Sequence, residues 1–223
     1  MGGVIGEILP LALGVAISPI PIIAAILMLL SPKAKGTSVG FLVGWIAGIV
    51  VASVAFTLLS AVLPGNDADA SNPVQGTIKL VLGVLLILLA ARQWRGRPRG
   101  QGEPELPKWM SAIDTLTPVK GAGLGFLLSA LNPKNLIMAA GAGITIGGSD
   151  LGNGQTVVVI VVFTVIAAST VAVPVIAYLA AAGRMAQPLE ELREWLVREN
   201  AVVMAILLLV IGVVMIGKGI GNF

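Results

Sequence analysis

The sequence predicts an all-α polytopic membrane protein of six transmembrane helices, built as two inverted three-helix repeats whose first helices are broken. Three observations carry this expectation. The 223 residues are 57% hydrophobic and only 11% charged, with a mean hydropathy of +0.98. A soluble domain carries about a quarter charged residues, so lipid rather than water must solvate this surface. Six apolar stretches recur, near residues 4–30, 37–63, 75–92, 119–147, 154–182 and 200–220, against the roughly 20 residues one span requires. Segments one and four are each interrupted near the centre by proline beside small polar residues.

The first segment follows Met1-Gly2-Gly3-Val4-Ile5-Gly6-Glu7. With no basic n-region and an acid in its place, this start makes a poor signal peptide. Gly6 stands where a myristoylation motif wants Ser or Thr, so the first helix is expected to be retained. Ser31-Pro32-Lys33-Ala34-Lys35 ends segment one, and Pro64-Gly65-Asn66-Asp67-Ala68-Asp69 follows segment two. A polar stretch from Gln93 to Pro118 divides the chain in half. Residues 1–92 are thus expected to form the first repeat, 93–118 a basic loop and 119–223 the second repeat. Gly147-Gly148-Ser149-Asp150 makes the fourth connection and residues 183–200 the fifth.

Charge sets the orientation. The first, third and fifth loops hold Lys33, Lys35, Arg92, Arg95, Arg97, Arg99, Lys108, Lys120, Arg184, Arg193 and Arg198, whereas the second and fourth hold Asp67, Asp69 and Asp150 and no base. Cytoplasmic loops carry the excess of Lys and Arg. Both termini are therefore expected outside a bacterial inner membrane, with the central basic loop in the cytoplasm. Residues 188–196 and 107–116 show apolar side chains at helical spacing opposite charges, the pattern of connectors lying in the headgroups. Lys79, about one turn into segment three, is expected to snorkel outward, and Glu7 to act as an interfacial anchor.

Composition also excludes functions. With no cysteine and no histidine, disulfides, thiol redox chemistry, Fe–S clusters and zinc or copper sites of the usual kind are ruled out. No nucleophile–base pair, paired intramembrane carboxylates or phosphate-binding Gly-rich loop is found, so neither an enzyme nor a cofactor is expected. The net charge of +3 is too small to suggest nucleic acid.

The interruptions carry the functional expectation. Segment one contains Ile17-Ser18-Pro19-Ile20-Pro21 and segment four Leu131-Asn132-Pro133-Lys134-Asn135. Proline lacks a backbone N–H, its ring clashes with the carbonyl one turn earlier, and it pushes the preceding residue from helical geometry. Carbonyls freed in this way cannot face lipid. Ser18 and Asn132, each just before a proline, are placed to bond the freed groups. Three spans precede the central loop and three follow it, so the second half enters from the opposite side. Paired broken helices in corresponding positions of inverted repeats point to a transporter's substrate site. Ser18, Pro19, Pro21, Asn132, Pro133, Lys134 and Asn135 are accordingly the candidate substrate-binding residues. Lys134 lies near the middle of its segment, where a lysine costs at least about 2.5–3.5 kcal/mol and should face a cavity or a partner. It suits an anionic substrate group, or else bonds carbonyls of the broken turn. Gly36, Gly40, Gly44 and Gly48 recur every four residues, a groove for close helix packing within the bundle or across a homodimer.

Around Asn132-Pro133-Lys134, within residues 125–134, the chain resembles the lysine-exporter (LysE) superfamily. From Ala16 to Trp45, with Ser18-Pro19-Ile20-Pro21 and Ser31-Pro32-Lys33-Ala34, it is similar to the GAP branch, the Sap-like proteins named for glycopeptidolipid and sulfolipid addressing. The likeness covers length, span number and polar middle loop. It implies a six-helix fold of two inverted repeats in the bacterial inner membrane. It also implies export of small solutes in the wider superfamily and of polar lipids or their precursors in this branch. The expected function is export or flipping of a polar lipid through a mid-membrane site, with membrane lipids as partners. An amino-acid exporter and a non-transporting scaffold of a lipid-export complex are the alternatives.

Overall fold

The computed structural model describes residues 1–61, 73–97, 113 and 115–222. Asp67, Asp69, Arg99, Lys108 and most of the expected surface helix at 107–116 lie outside the described residues. Seven helices follow one another: α1 (Gly2–Ala16), α2 (Pro19–Leu30), α3 (Ala34–Ala61), α4 (Pro73–Arg95), α5 (Pro118–Ala130), α6 (Pro133–Gly147) and α7 (Asn153–Ile220). Among the described residues there is no strand. The chain is all-α, and α3, α4 and α7 are each long and apolar enough to cross a membrane. The α1–α2 pair, bent by 52° at its break, makes a fourth such element when taken as one span.

Apart from the two breaks, every apolar segment is helical over its described residues, and the prolines sit where helix physics puts them. Pro19, Pro118 and Pro133 each open a helix, where the missing N–H would have had no intrahelical partner. Thr117 caps α5 by accepting the Lys120 N–H at 3.3 Å. The fifth connection carries the helix expected at 188–196 and extends it. Residues 183–200 are helical, and α7 runs through them with one non-helical residue, Ala181 (φ −149, ψ 53). Thr170 and Ile211 both lie against the end of α1, although they would stand roughly 60 Å apart on a straight helix. The chain therefore folds back near Ala181 into two arms, 153–180 and 182–220. Leu189 and Leu196 are buried on the second arm, so the amphipathic stretch at 188–196 docks its apolar side on protein.

Close contacts at glycines reveal helix directions. Side chains added at Gly40, Gly44 and Gly48 would overlap α5 at Pro118, Ala122 and the Phe126–Ser129 turn in turn, and one at Gly143 or Gly147 would strike α3 at Phe56–Ser60. Helix α3 thus runs parallel to the α5–α6 pair. In contrast, Gly83 meets Gly212 and Ile216, and Leu80 meets Gly219, so α4 and the second arm of α7 are antiparallel. Helices α1 and α6 are antiparallel too: Gly14 faces Met138 and Leu11 faces Gly141. A chain that alternates direction at each apolar segment gives these senses. The glycine series at 36, 40, 44 and 48 is filled by α5 of the same chain and so is not a free dimer surface.

Ile8, Leu11, Leu86, Met138, Ala142, Ile211 and Met215 pack into the core between the breaks and the chain termini. At that end the starts of α1 and α4 meet the end of α7. Glu7 lies 3.8 Å from both Lys79 and Lys218, Lys79 donates to Asn222 Oδ1 at 3.3 Å, and Lys218 donates to the Glu7 carbonyl at 3.2 Å. Lys79 is buried rather than snorkelling outward, because an acid and an amide oxygen receive it. The two chain ends lie at one end of the bundle.

Candidate functional site

Each break frees a set of carbonyls, and their fate defines the site. In α1 the regular ladder ends with Ile17 N–H donating to Leu13 (2.8 Å), after which Ser18 N–H turns back to Ala16 (2.8 Å). Pro19 and Pro21 supply no N–H for Val15 and Ile17. Gly14, whose partner would have been Ser18, receives Lys134 Nζ instead, and Ala16 receives the hydroxyl of Thr170. Both donors come from the second half of the chain.

The second break is satisfied more locally. Asn132 caps α6 by accepting the Lys134 N–H at 3.0 Å, and Asn135 Nδ2 donates to the Leu128 carbonyl at 3.1 Å. Ser18, at the equivalent place in the first half, makes no side-chain cap. Neither residue expected to bond the freed carbonyls does so: the Leu128 carbonyl goes to Asn135, and Asn132 instead caps a backbone N–H. Its side-chain carbonyl projects the way an N-cap acceptor requires, and the hydroxyl of Ser18 is left to other uses.

The two breaks meet at one cavity of about 240 Å³. Ser18, Pro19 and Ile20 line it from the first break, and Asn132, Pro133 and Lys134 from the second. Helix α4 closes one side with Leu89, Arg92 and Gln93, and the second arm of α7 contributes Asn200, Met204 and Leu208. Five of the seven expected substrate-binding residues therefore share one space. Pro21 and Asn135 do not line it: Pro21 is buried in α2, and Asn135 holds the Leu128 carbonyl.

Arg92, Gln93 and Asn200 are the polar lining residues that the sequence alone did not nominate. Arg92 lies on an exposed turn at the basic end of α4, so the cavity opens toward the end of the bundle that carries the basic loops. Toward the chain termini it is closed by the apolar core. Among the described residues its lining holds two cations, Lys134 and Arg92, and no acid. The Oδ1 atoms of Asn200 and Asn135 are buried without a hydrogen-bond partner. Among the described residues no group of acidic side chains could hold a metal ion.

Fold and site together define a polytopic helical membrane protein with an internal cationic cavity between two proline-broken helices. A family model described as Sap, sulfolipid-1-addressing protein, matches residues 8–221, and the chain belongs to that family. No curated protein and no solved structure matches it.

Proposed function

We propose that the protein is a membrane transporter of the lysine-exporter type that moves a polar lipid, or a precursor of one, with an anionic headgroup seated between the two breaks. One observation carries the reading: both broken helices line a single cavity whose charged groups are a lysine and an arginine. Charge-assisted hydrogen bonds from such groups to sulfate or phosphate oxygens are the strong ones, and Arg bonds them two at a time. The family name speaks of a sulfolipid, and a sulfate ester is an anion of this kind. Asn132 and Asn200 add amides, and Asn200 can turn over to offer its NH₂. Leu89, Met204 and Leu208 give the rest of the wall the apolar character a lipid needs.

With the basic loops in the cytoplasm, the cavity opens inward and the termini lie outside a bacterial inner membrane. Alternating access follows from rocking of one half against the other. An amino-acid substrate would need an acid for its ammonium, and the described residues of the lining offer none. No chemical step is required of any residue, so the protein is read as a carrier and not an enzyme.

The test is transbilayer movement of fluorescent lipids in proteoliposomes, comparing sulfated, phosphodiester and choline headgroups. Movement of the anionic lipids, lost in Lys134→Met and in Arg92→Gln, supports the reading. Exit of labelled amino acids with no lipid movement would replace it with the solute exporter, and movement of neither would favour the scaffold.

A further inference from the structure

The helices that close the cavity carry cations again at their far ends. Arg92 of α4 lines the cavity opposite Met204 of the second arm of α7. Lys79, near the start of α4, and Lys218, near the end of α7, converge on Glu7 of α1. On straight helices Lys79 stands roughly 20 Å from Arg92, and Lys218 about as far from Met204. The apolar core of Leu11, Leu86, Ile211 and Met215 lies between the two levels.

The far cluster is built around an anion. A single carboxylate oxygen, Glu7 Oε2, lies 3.8 Å from both ammonium nitrogens. Charge-assisted hydrogen bonds are about 2.7–2.9 Å long, so this oxygen sits between two cations and bonds neither. Lys79 instead donates to Asn222 Oδ1 and Lys218 to the Glu7 carbonyl. That is one bond each among the described residues, where an ammonium can donate three. The Lys79 side chain is 7% exposed against 42% for that of Glu7, so the base is held in place while the acid has room to turn away. A tetrahedral anion, with oxygens spread in several directions, can bond both ammoniums where one carboxylate oxygen falls short of each.

We propose that Lys79 and Lys218 form a second oxyanion site, at the end of the bundle that holds the chain termini, and that it takes the sulfate or phosphate of the substrate headgroup when Glu7 turns away. The assignment of the headgroup rests on the transport reading above. Glu7 is the tethered competitor at this site: it neutralises a buried lysine and yields to an anion that bonds both bases. Ion pairs this exposed are weak, so the exchange meets little resistance.

Two measurements test the site and its ligand separately. Thermal unfolding in a neutral detergent compares wild type with Glu7→Gln, in sodium sulfate and in sodium chloride of equal ionic strength. With the competitor removed, sulfate at roughly tenfold above its Kd should raise the melting temperature of Glu7→Gln by about 3 °C more than that of wild type. Adding Lys218→Gln should abolish the extra rise. The central cavity is unchanged in these proteins and drops out of the difference. Equal sulfate shifts in wild type and Glu7→Gln overturn the proposal, whether or not the protein flips lipid. The second measurement is flipping of a sulfated lipid in proteoliposomes by Lys218→Gln. A rate about tenfold or more below wild type supports the headgroup as the ligand. A wild-type rate beside a positive sulfate shift makes the ligand a free anion and overturns the headgroup assignment. A sulfate shift in a protein that flips no lipid keeps the site and removes the transport reading.

Discussion

Lys134→Met separates the two things that Lys134 does. The side chain is 5% exposed and its ammonium donates to the Gly14 carbonyl that the first break leaves without a backbone donor. A hydrogen bond from a charged donor contributes about 1.5–3 kcal/mol. Placing a lysine at this depth costs about 2.5–3.5 kcal/mol. The two oppose each other, and methionine keeps much of the chain's length and packing. The variant should therefore fold, with stability within about 1–2 kcal/mol of wild type and the freed carbonyl left to water in the cavity. Transport should behave differently. Loss of one charge-assisted bond to an anionic headgroup, about 1.5–3 kcal/mol, corresponds to about a 10- to 150-fold slower flipping rate. Thermal unfolding in detergent and the proteoliposome assay read the two effects on one preparation. A variant that flips anionic lipid at the wild-type rate would make Lys134 a brace for the broken turn and nothing more. One that unfolds would show that the brace outweighs the burial cost.

Asn132→Ala should lose about 1 kcal/mol of stability with its N-cap, whereas Ser18→Ala, which has no cap to lose, should melt as wild type does; calorimetry of the two distinguishes them. If Ser18→Ala nevertheless slows transport, the hydroxyl serves the substrate. Gly44→Ala drives a methyl into the Ala122 carbonyl and should destabilise by about 1–3 kcal/mol through overpacking. Gly123→Ala on α5 meets nothing within 4 Å and should gain about 0.5–1 kcal/mol from helix propensity; equal melting of the two would refute the close α3–α5 approach. Because Glu7 is 42% exposed, its pairs contribute at most about 1 kcal/mol. Glu7→Gln should leave overall stability within that range. With Lys79 and Lys218 then left facing each other, Ile8→Cys, fully buried in wild type, should become reactive to maleimide, and a thiol that stays silent would show that the apolar core seals that end unaided.

The helical content was legible because each span is encoded locally, in an unbroken apolar run bounded by Pro, Gly or charge. The breaks were legible for the same reason: a proline's missing N–H acts on the carbonyl one turn away, whatever surrounds it. What depends on a third element was not. Arg92 reads as one more loop cation under the charge rule, and only the return of the second arm of α7 brings it opposite Lys134. Thr170 looks like any hydroxyl in an apolar helix until the end of α1 is seen beside it. Lys79 was expected to reach outward because it lies about one turn into its segment, and its partner Glu7 is more than two helices away in sequence. The fold-back at Ala181 has no Gly or Pro at the turning residue itself. The charged stretch after it reads as a helix lying in the headgroups, yet its Leu189 and Leu196 find a protein core instead.

The repair of the first break bears on how the chain is made. The carbonyls of Gly14 and Ala16 are satisfied by Lys134 and Thr170, residues that a ribosome delivers long after the first three segments have left it. Until then those carbonyls sit at a depth where no lipid atom can bond them. The first half of the protein is therefore an unfinished object during synthesis, obliged to stay near water, the insertion machinery or another chain until its sequel arrives. The second half is less dependent, since Asn132 and Asn135 mend their own break. Expressed as separate polypeptides, the halves should survive unequally, with residues 119–223 the more durable fragment and residues 1–92 rescued only by co-expression.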